Sequence, residues 1–201
     1  MKDVNTISFT KRNLPHWLVA DRTLFVTIRL KGSLPISVVQ ELKVERDKLC
    51  LKSSDNEQAI NEFQRRQFVK IEAALDVSLA DIQWMKNPEV ADIVFENLAW
   101  LEETRGWQIK AACVMPTHVH IIMRNTEGRT GELLSDLGQY KNFSARKANK
   151  ILKRTGPFWA TEDFDHWCRT EDKVESVIKY IRNNPVKAGL VKKISEWKWV
   201  R

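Results

Sequence analysis

Val114-Met115-Pro116-Thr117-His118-Val119-His120-Ile121-Ile122-Met123 is an apolar run broken by a Pro-Thr pair and two histidines. Its second half has the β-branched, apolar character of a buried strand. Side chains at i and i+2 of a strand share a face, so His118 and His120 project together. Spacing alone leaves two readings open. The pair is half of a metal site, or it is two imidazoles on the solvated face of a half-buried strand. Just upstream, Gln108 to Met115 also reads as a strand. Only Pro116 and Thr117 separate the two, which predicts an antiparallel hairpin.

Further out, Leu24-Phe25-Val26-Thr27-Ile28-Arg29-Leu30 is another strand, closed by Lys31-Gly32-Ser33-Leu34-Pro35. Residues 36–52 and 56–76 have helical spacing, with Ile60, Phe63, Phe68, Ile71 and Leu75 at the apolar positions of the second segment. Pro88 opens a third helix whose inner face is Val90, Ile93, Val94, Leu98 and Leu101. After the hairpin, a loop from Asn125 to Thr130 leads into an amphipathic helix over about 131–154. Residues 158–169 are aromatic and of low periodicity, and read as a loop carrying Asp165 and His166. Thr170 is the expected N-cap of the last helix, which is expected to end by Asn184, ahead of Pro185. A short strand near 189–191 would complete the sheet. The order predicts one α+β domain over 1–201 with a ferredoxin-like βαββαβ core and an antiparallel sheet. The histidines fall on a central strand, and a helical insertion over 36–87 follows the first strand.

The balance of 43% hydrophobic and 29% charged residues is that of a soluble globular protein. No run of about 18 apolar residues exists to span a membrane. Residues 1–5 lack the apolar segment of a signal peptide, so the expected location is the cytoplasm. Cys50, Cys113 and Cys168 are widely spaced and form no Cys-x-x-Cys, which argues for reduced thiols and against a disulfide framework or a zinc ribbon. The net charge of +7 is concentrated in the C-terminal third. Residues 141–154 hold Lys141, Arg146, Lys147, Lys150, Lys153 and Arg154 with no acid, and Lys187 lies in a second basic stretch. Arg146, Lys147, Lys150 and Arg154 fall on one side of a helix, either a phosphate-contacting face or an ordinary solvated one. Trp159, Trp167, Trp197 and Trp199 are core residues or stacking platforms, with core the commoner use.

Two tyrosines occur, Tyr140 and Tyr180. Helical spacing assigns Tyr140 to the core. Tyr180 and Asn184 are four residues apart and share a helix face. Asn184 could complete a metal site with His118 and His120, placing the phenol beside a bound phosphate. Alternatively, Tyr180 packs and Asn184 caps the helix before Pro185.

Met115-Pro116-Thr117-His118-Val119-His120, together with Tyr180-Ile181-Arg182-Asn183-Asn184-Pro185-Val186-Lys187-Ala188-Gly189-Leu190-Val191 some 60 residues on, resembles the REP-associated tyrosine transposases. These are single-tyrosine members of the HUH endonuclease superfamily. Phe25 to Leu30 with Leu34-Pro35, Gly156-Pro157-Phe158-Trp159 and Phe164-Asp165 extend the likeness over most of the chain. The resemblance implies that His118, His120 and Asn184 bind a divalent metal, Mg²⁺ or Mn²⁺, and that Tyr180 is the nucleophile. It implies a transposase acting on single-stranded or hairpin DNA, such as REP palindromes, through a 5′-phosphotyrosine intermediate. Lys141, Arg146, Lys147, Lys150, Arg154 and Lys187 are the expected DNA contacts, and a monomer is favoured over a homodimer. Two other readings stand beside it: a non-catalytic hairpin-binding protein, and a phosphoesterase using water as nucleophile. The chain departs from the family's usual residues at Thr117, often Asn, and at Ala160, often Gln.

Overall fold

The computed structural model describes residues 6–11, 15–19, 23–52, 57–76, 82–125 and 133–201. Most of the loop expected over 125–130 therefore lies outside the described residues, as does the side chain of Cys50. Strands β1 (Thr6–Lys11) and β2 (Pro15–Val19) pair as an antiparallel hairpin. Strand β3 (Thr23–Arg29) then starts the main sheet. Helices α1 (Ile36–Lys52) and α2 (Glu57–Asp76) follow it, within the span read as an insertion. Helices α3 (Pro88–Glu96) and α4 (Leu98–Arg105) make the first crossover. Asn97 interrupts the single helix expected here, and its side-chain amide donates to Tyr140 O at 3.2 Å. Gly106, left-handed at φ 67°, ends α4.

Strands β4 (Trp107–Val114) and β5 (His118–Asn125) form the expected hairpin. Helix α5 (Leu133–Ile151), strand β6 (Phe164–Cys168) and helix α6 (Glu171–Lys187) complete the chain. The sheet order is β4-β5-β3-β6 with every pair antiparallel, the ferredoxin-like order, and the histidine strand is central.

Two expectations need correction. The fourth strand is β6, not 189–191, which carries no strand. Four of the five β6 residues are buried, so helices cover both faces and the period-two alternation that would mark a strand is lost. Asp165 and His166 thus lie on a strand rather than in a loop. The last helix also runs through Pro185 to Lys187. Pro185 has no N–H to give to Ile181 O, so α6 accommodates its ring at the loss of that hydrogen bond. The chain then leaves by way of Ala188 N to Asn184 O and Leu190 N to Pro185 O, both 2.9 Å, with Gly189 at φ 69°.

Strand alternation divides the core. Leu24, Val26, Ile28, Val119, Ile121 and Met123 face α3, α4 and α5. Phe25 and Ile122 face the layer of α1, α2 and α6, where Leu42, Ile71, Leu75, Val177 and Ile181 pack. His118 and His120, in phase with Ile122, lie on this second face. Beyond edge strand β4, Arg201 and Ala112 exchange backbone hydrogen bonds of 3.0 and 3.2 Å, and Val114 N donates to Trp199 O at 2.9 Å. The tail therefore covers a sheet edge. Cys113 and Cys168 are buried and free. Among the described residues no helix is long and apolar enough to cross a membrane.

Candidate metal and nucleophile site

Both imidazoles are buried on β5. Thr117 Oγ1 lies 2.8 Å from His118 Nδ1, and Thr27 Oγ1 on the neighbouring strand lies 2.9 Å from His120 Nδ1. With each Nδ1 engaged by a hydroxyl, the two Nε2 atoms point at one another at 3.0 Å. Outer partners of this kind fix tautomer and ring orientation in metal sites. Thr117, one of the two positions that depart from the family pattern, is thus one of the two orienting groups.

A carboxylate closes the cluster. Glu72 on α2 brings Oε2 to 3.3 Å from His120 Nε2, and ligand atoms of Glu72, His118 and His120 all lie within 4.8 Å of one another. This buried trio could hold a metal ion. Burial pushes the Glu72 carboxyl up, but His120, His118 and the Tyr180 hydroxyl together bring it down to about 2, so it is ionised at neutral pH. His118 is lowered to about 3 by burial, then by His120 and Lys187, against the opposing pull of Glu72. A neutral His118 and an ionised Glu72 are in the protonation states that metal ligation requires.

Tyr180 on α6 completes the group by donating its hydroxyl to the same Glu72 Oε2. Its ring is held by Phe25, Phe68 and His120, with centroid separations of 6.4, 5.6 and 5.7 Å. Tyr180 is only half-buried. A cavity of about 180 Å³ beside it is lined by Arg65, Phe68, Phe164, Lys173 and Tyr180 among others. Asn184 is buried one turn further on, and neither its Oδ1 nor its Nδ2 has a partner. Glu72 Oε1 is likewise buried and unpartnered. An orphaned carboxylate oxygen in a buried carboxylate–imidazole trio is what a bound cation would satisfy, so Glu72, His118 and His120 fit a divalent metal.

Tyr140, by contrast, is fully buried on the other side of the sheet and donates to Val94 O at 2.8 Å. Ser144 is buried and accepts from Trp159 Nε1 at 3.0 Å. Trp159 and Trp167 are core residues, while Trp197 and Trp199 pin the tail by donating to Val114 O and Asp92 at 3.0 and 2.8 Å.

The basic residues divide between two surfaces. Helix α5 packs on the face of the sheet opposite the histidines, so its cations do not adjoin them. Arg146, Lys147 and Lys150 are exposed there, with Lys147 lying 4.3 Å over the Phe143 ring. Lys141 pairs with Asp163 and donates to Ala160 O, both at 2.8 Å, so its charge is already matched. Arg154 stacks 3.7 Å over Trp84 and donates to Asn149. Lys187 lies on the same face of the sheet as the histidines, 5.8 Å over the Tyr180 ring.

Sequence reasoning missed Glu72, Thr27, Arg65 and Lys173. A signal for Glu72 was present. It stands four residues after Phe68 and three before Leu75, an acid inside the apolar stripe of α2.

A ferredoxin-like sheet with two convergent imidazoles on a central strand, and a tyrosine facing them from the last helix, has the layout of a metal-assisted nucleophilic site. The comparisons with known proteins point to one family. The chain resembles the REP-associated tyrosine transposases in sequence and in fold. It is 26% identical over 95 residues to a Haemophilus influenzae protein provisionally named as one, a match covering 43% of this chain and 54% of that protein. The chain thus spans about half the length of that relative. In three dimensions it aligns over 96% of its length, and 82% of the other chain, with a REP-associated tyrosine transposase bound to a REP hairpin. That alignment has a TM-score of 0.55 at 17% identity. No protein-family model matches the chain.

Proposed function

We propose that the protein is a metal-dependent single-strand DNA endonuclease and strand transferase that acts on hairpin DNA through Tyr180. One observation carries this reading: the Tyr180 hydroxyl and the His120 imidazole meet on a single carboxylate oxygen of Glu72. A nucleophile and a metal-ligand set in direct contact are what phosphoryl transfer needs, and a phosphoesterase using water would not need the tyrosine there.

In this mechanism His118 and His120, with Asn184 and Glu72, would hold the cation, which when bound would supply Lewis acidity to the scissile phosphate. Thr27 and Thr117 keep the imidazoles turned inward. Tyr180, its ring fixed by Phe25, Phe68 and His120, attacks phosphorus as the phenolate. The bond to the 3′ oxygen breaks, that oxygen takes up a proton, and the 5′ phosphate stays on the tyrosine. A phenol near pKa ~10 is both easier to ionise and easier to expel than an alkanol. A second DNA 3′-OH can therefore attack the phosphotyrosine, re-forming a phosphodiester and freeing Tyr180 without ATP. Lys187, Arg65 and Lys173 sit where the strand would enter. Arg146, Lys147 and Lys150 offer a second contact, remote from the chemistry, for the hairpin stem.

Labelled single-stranded hairpins from the DNA flanking the gene, incubated with Mg²⁺ or Mn²⁺, should give a covalent adduct on a denaturing gel. Omitting the metal or substituting Tyr180→Phe should remove it. Tight binding with no cleavage under either metal would instead support a non-catalytic hairpin-binding protein.

A further inference from the structure

The nucleophile and the metal ligands meet on a residue that belongs to neither sequence motif. Helix α2 docks on the sheet through Phe68, Ile71 and Leu75, and Glu72 lies among them with 5% of its surface exposed. Burying a carboxylate against aromatic and aliphatic groups costs several kcal/mol unless its oxygens are matched. Only half of that matching is present. Oε2 receives the Tyr180 hydroxyl and faces His120 Nε2, while Oε1 has no partner, and neither has the buried amide of Asn184 on α6.

We propose that Glu72 is a bridging carboxylate, a cation ligand through one oxygen and, through the other, the acceptor that positions the Tyr180 hydroxyl. The α1–α2 segment is then a working part of the active site, not an appended layer. This inference rests on the metal-dependent reading given above. Phe25, Phe68 and His120 pack against the Tyr180 ring and hold its hydroxyl toward Glu72. A cation drawing on Glu72 must therefore change the environment of the phenol. An ordinary buried ion pair between Glu72 and His120 would leave Oε1 unmatched and would not link the tyrosine to metal.

With only two tyrosines in the chain, 3-fluorotyrosine labelling gives one reporter each for Tyr140 and Tyr180 in ¹⁹F NMR. Tyr140, across the sheet, is the internal reference for a folded core. Adding Mg²⁺ to the full chain without DNA should move the Tyr180 signal, identified by its loss in Tyr180→Phe, and leave Tyr140 in place. In Glu72→Gln the same shift should need at least ten-fold more Mg²⁺. Glu72→Asp should fall between the two, and it carries the test if the glutamine variant loses the Tyr140 reference signal. Glu62→Gln, on the exposed side of α2 in an i,i+4 pair with Arg66, should titrate as the wild type.

A wild-type Mg²⁺ response in both Glu72 variants overturns the proposal while leaving a metal-dependent nuclease intact. So does Mn²⁺ uptake by the wild type, seen by electron paramagnetic resonance, with Tyr180 unmoved by Mg²⁺. A wild type that takes up neither cation overturns both readings.

Discussion

Thr27 Oγ1 stands 2.9 Å from His120 Nδ1, and this cross-strand contact turns Nε2 of the imidazole toward Glu72. Register makes it possible, because Thr27 on β3 pairs directly with His120 on β5. Thr117 does the same for His118 from within the hairpin turn. Removing such outer partners commonly costs ten- to a hundred-fold in metal affinity. Thr27→Val and Thr117→Val should each weaken Mn²⁺ binding by about that factor, read as free Mn²⁺ by electron paramagnetic resonance, with circular dichroism unchanged. Unaltered binding in both would show that the hydroxyls do not orient the ligands.

The two tyrosines should separate cleanly. Tyr140 is buried with its hydroxyl on Val94 O, so Tyr140→Phe removes one hydrogen bond and leaves a buried carbonyl short of a donor. A loss of about 1–3 kcal/mol in urea unfolding is expected, with DNA adduct formation retained. Tyr180→Phe should do the reverse, abolishing the adduct at small cost in stability.

The metal-free protein should lose stability on acidification. His118 is lowered to about 3, and His166 to about 4, in both cases first by burial. Each is below the ordinary 6.5, so the unfolded chain binds the extra protons first. Their contribution is complete above pH 6.5 and is lost as pH falls through about 4 and about 3. Glu72, at about 2, adds to the loss below its ordinary 4.5. In the presence of a chelator, urea midpoints should fall steadily from pH 7 to pH 4, less steeply in His166→Gln. A midpoint that rises on acidification would contradict these assignments.

Cations on the two surfaces should have different signatures. Arg146→Ala, Lys147→Ala and Lys150→Ala should lower affinity for hairpin DNA about equally across sequences. Each lost phosphate contact should reduce the salt slope by ~0.7–0.9. The cleavage rate at saturating DNA should be untouched, because α5 lies across the sheet from Tyr180. Lys187→Ala should slow cleavage of bound DNA, since its ammonium lies over the Tyr180 ring. Fluorescence anisotropy at several salt concentrations, with single-turnover cleavage, separates the two effects.

The fold was legible where periodicity was strong. The histidine hairpin, β3, the two helices after it and the Thr170 cap all follow from local pattern. Strand β6 was not legible, because helices bury both of its faces and leave no alternation to read. Pro185 misled for another reason: proline disfavours a helix without forbidding it, and α6 runs through this residue to Lys187. At the site, His118, His120 and Tyr180 could be named from motif spacing. Glu72 could not be tied to them, because 46 residues and a crossover separate it from His118 and only the tertiary fold joins them. The α5 cations were legible as a basic stripe, but which face of the sheet they would occupy depends on a handed connection that composition does not encode.

In the proposed reaction Tyr180 carries the DNA. Adduct formed on a hairpin substrate, trimmed with nuclease and digested with trypsin, can be sequenced by mass spectrometry. The nucleotide remnant is expected on Tyr180, within Tyr180-Ile181-Arg182. A remnant on Tyr140, or substrate cleaved with no modified tyrosine, would contradict it.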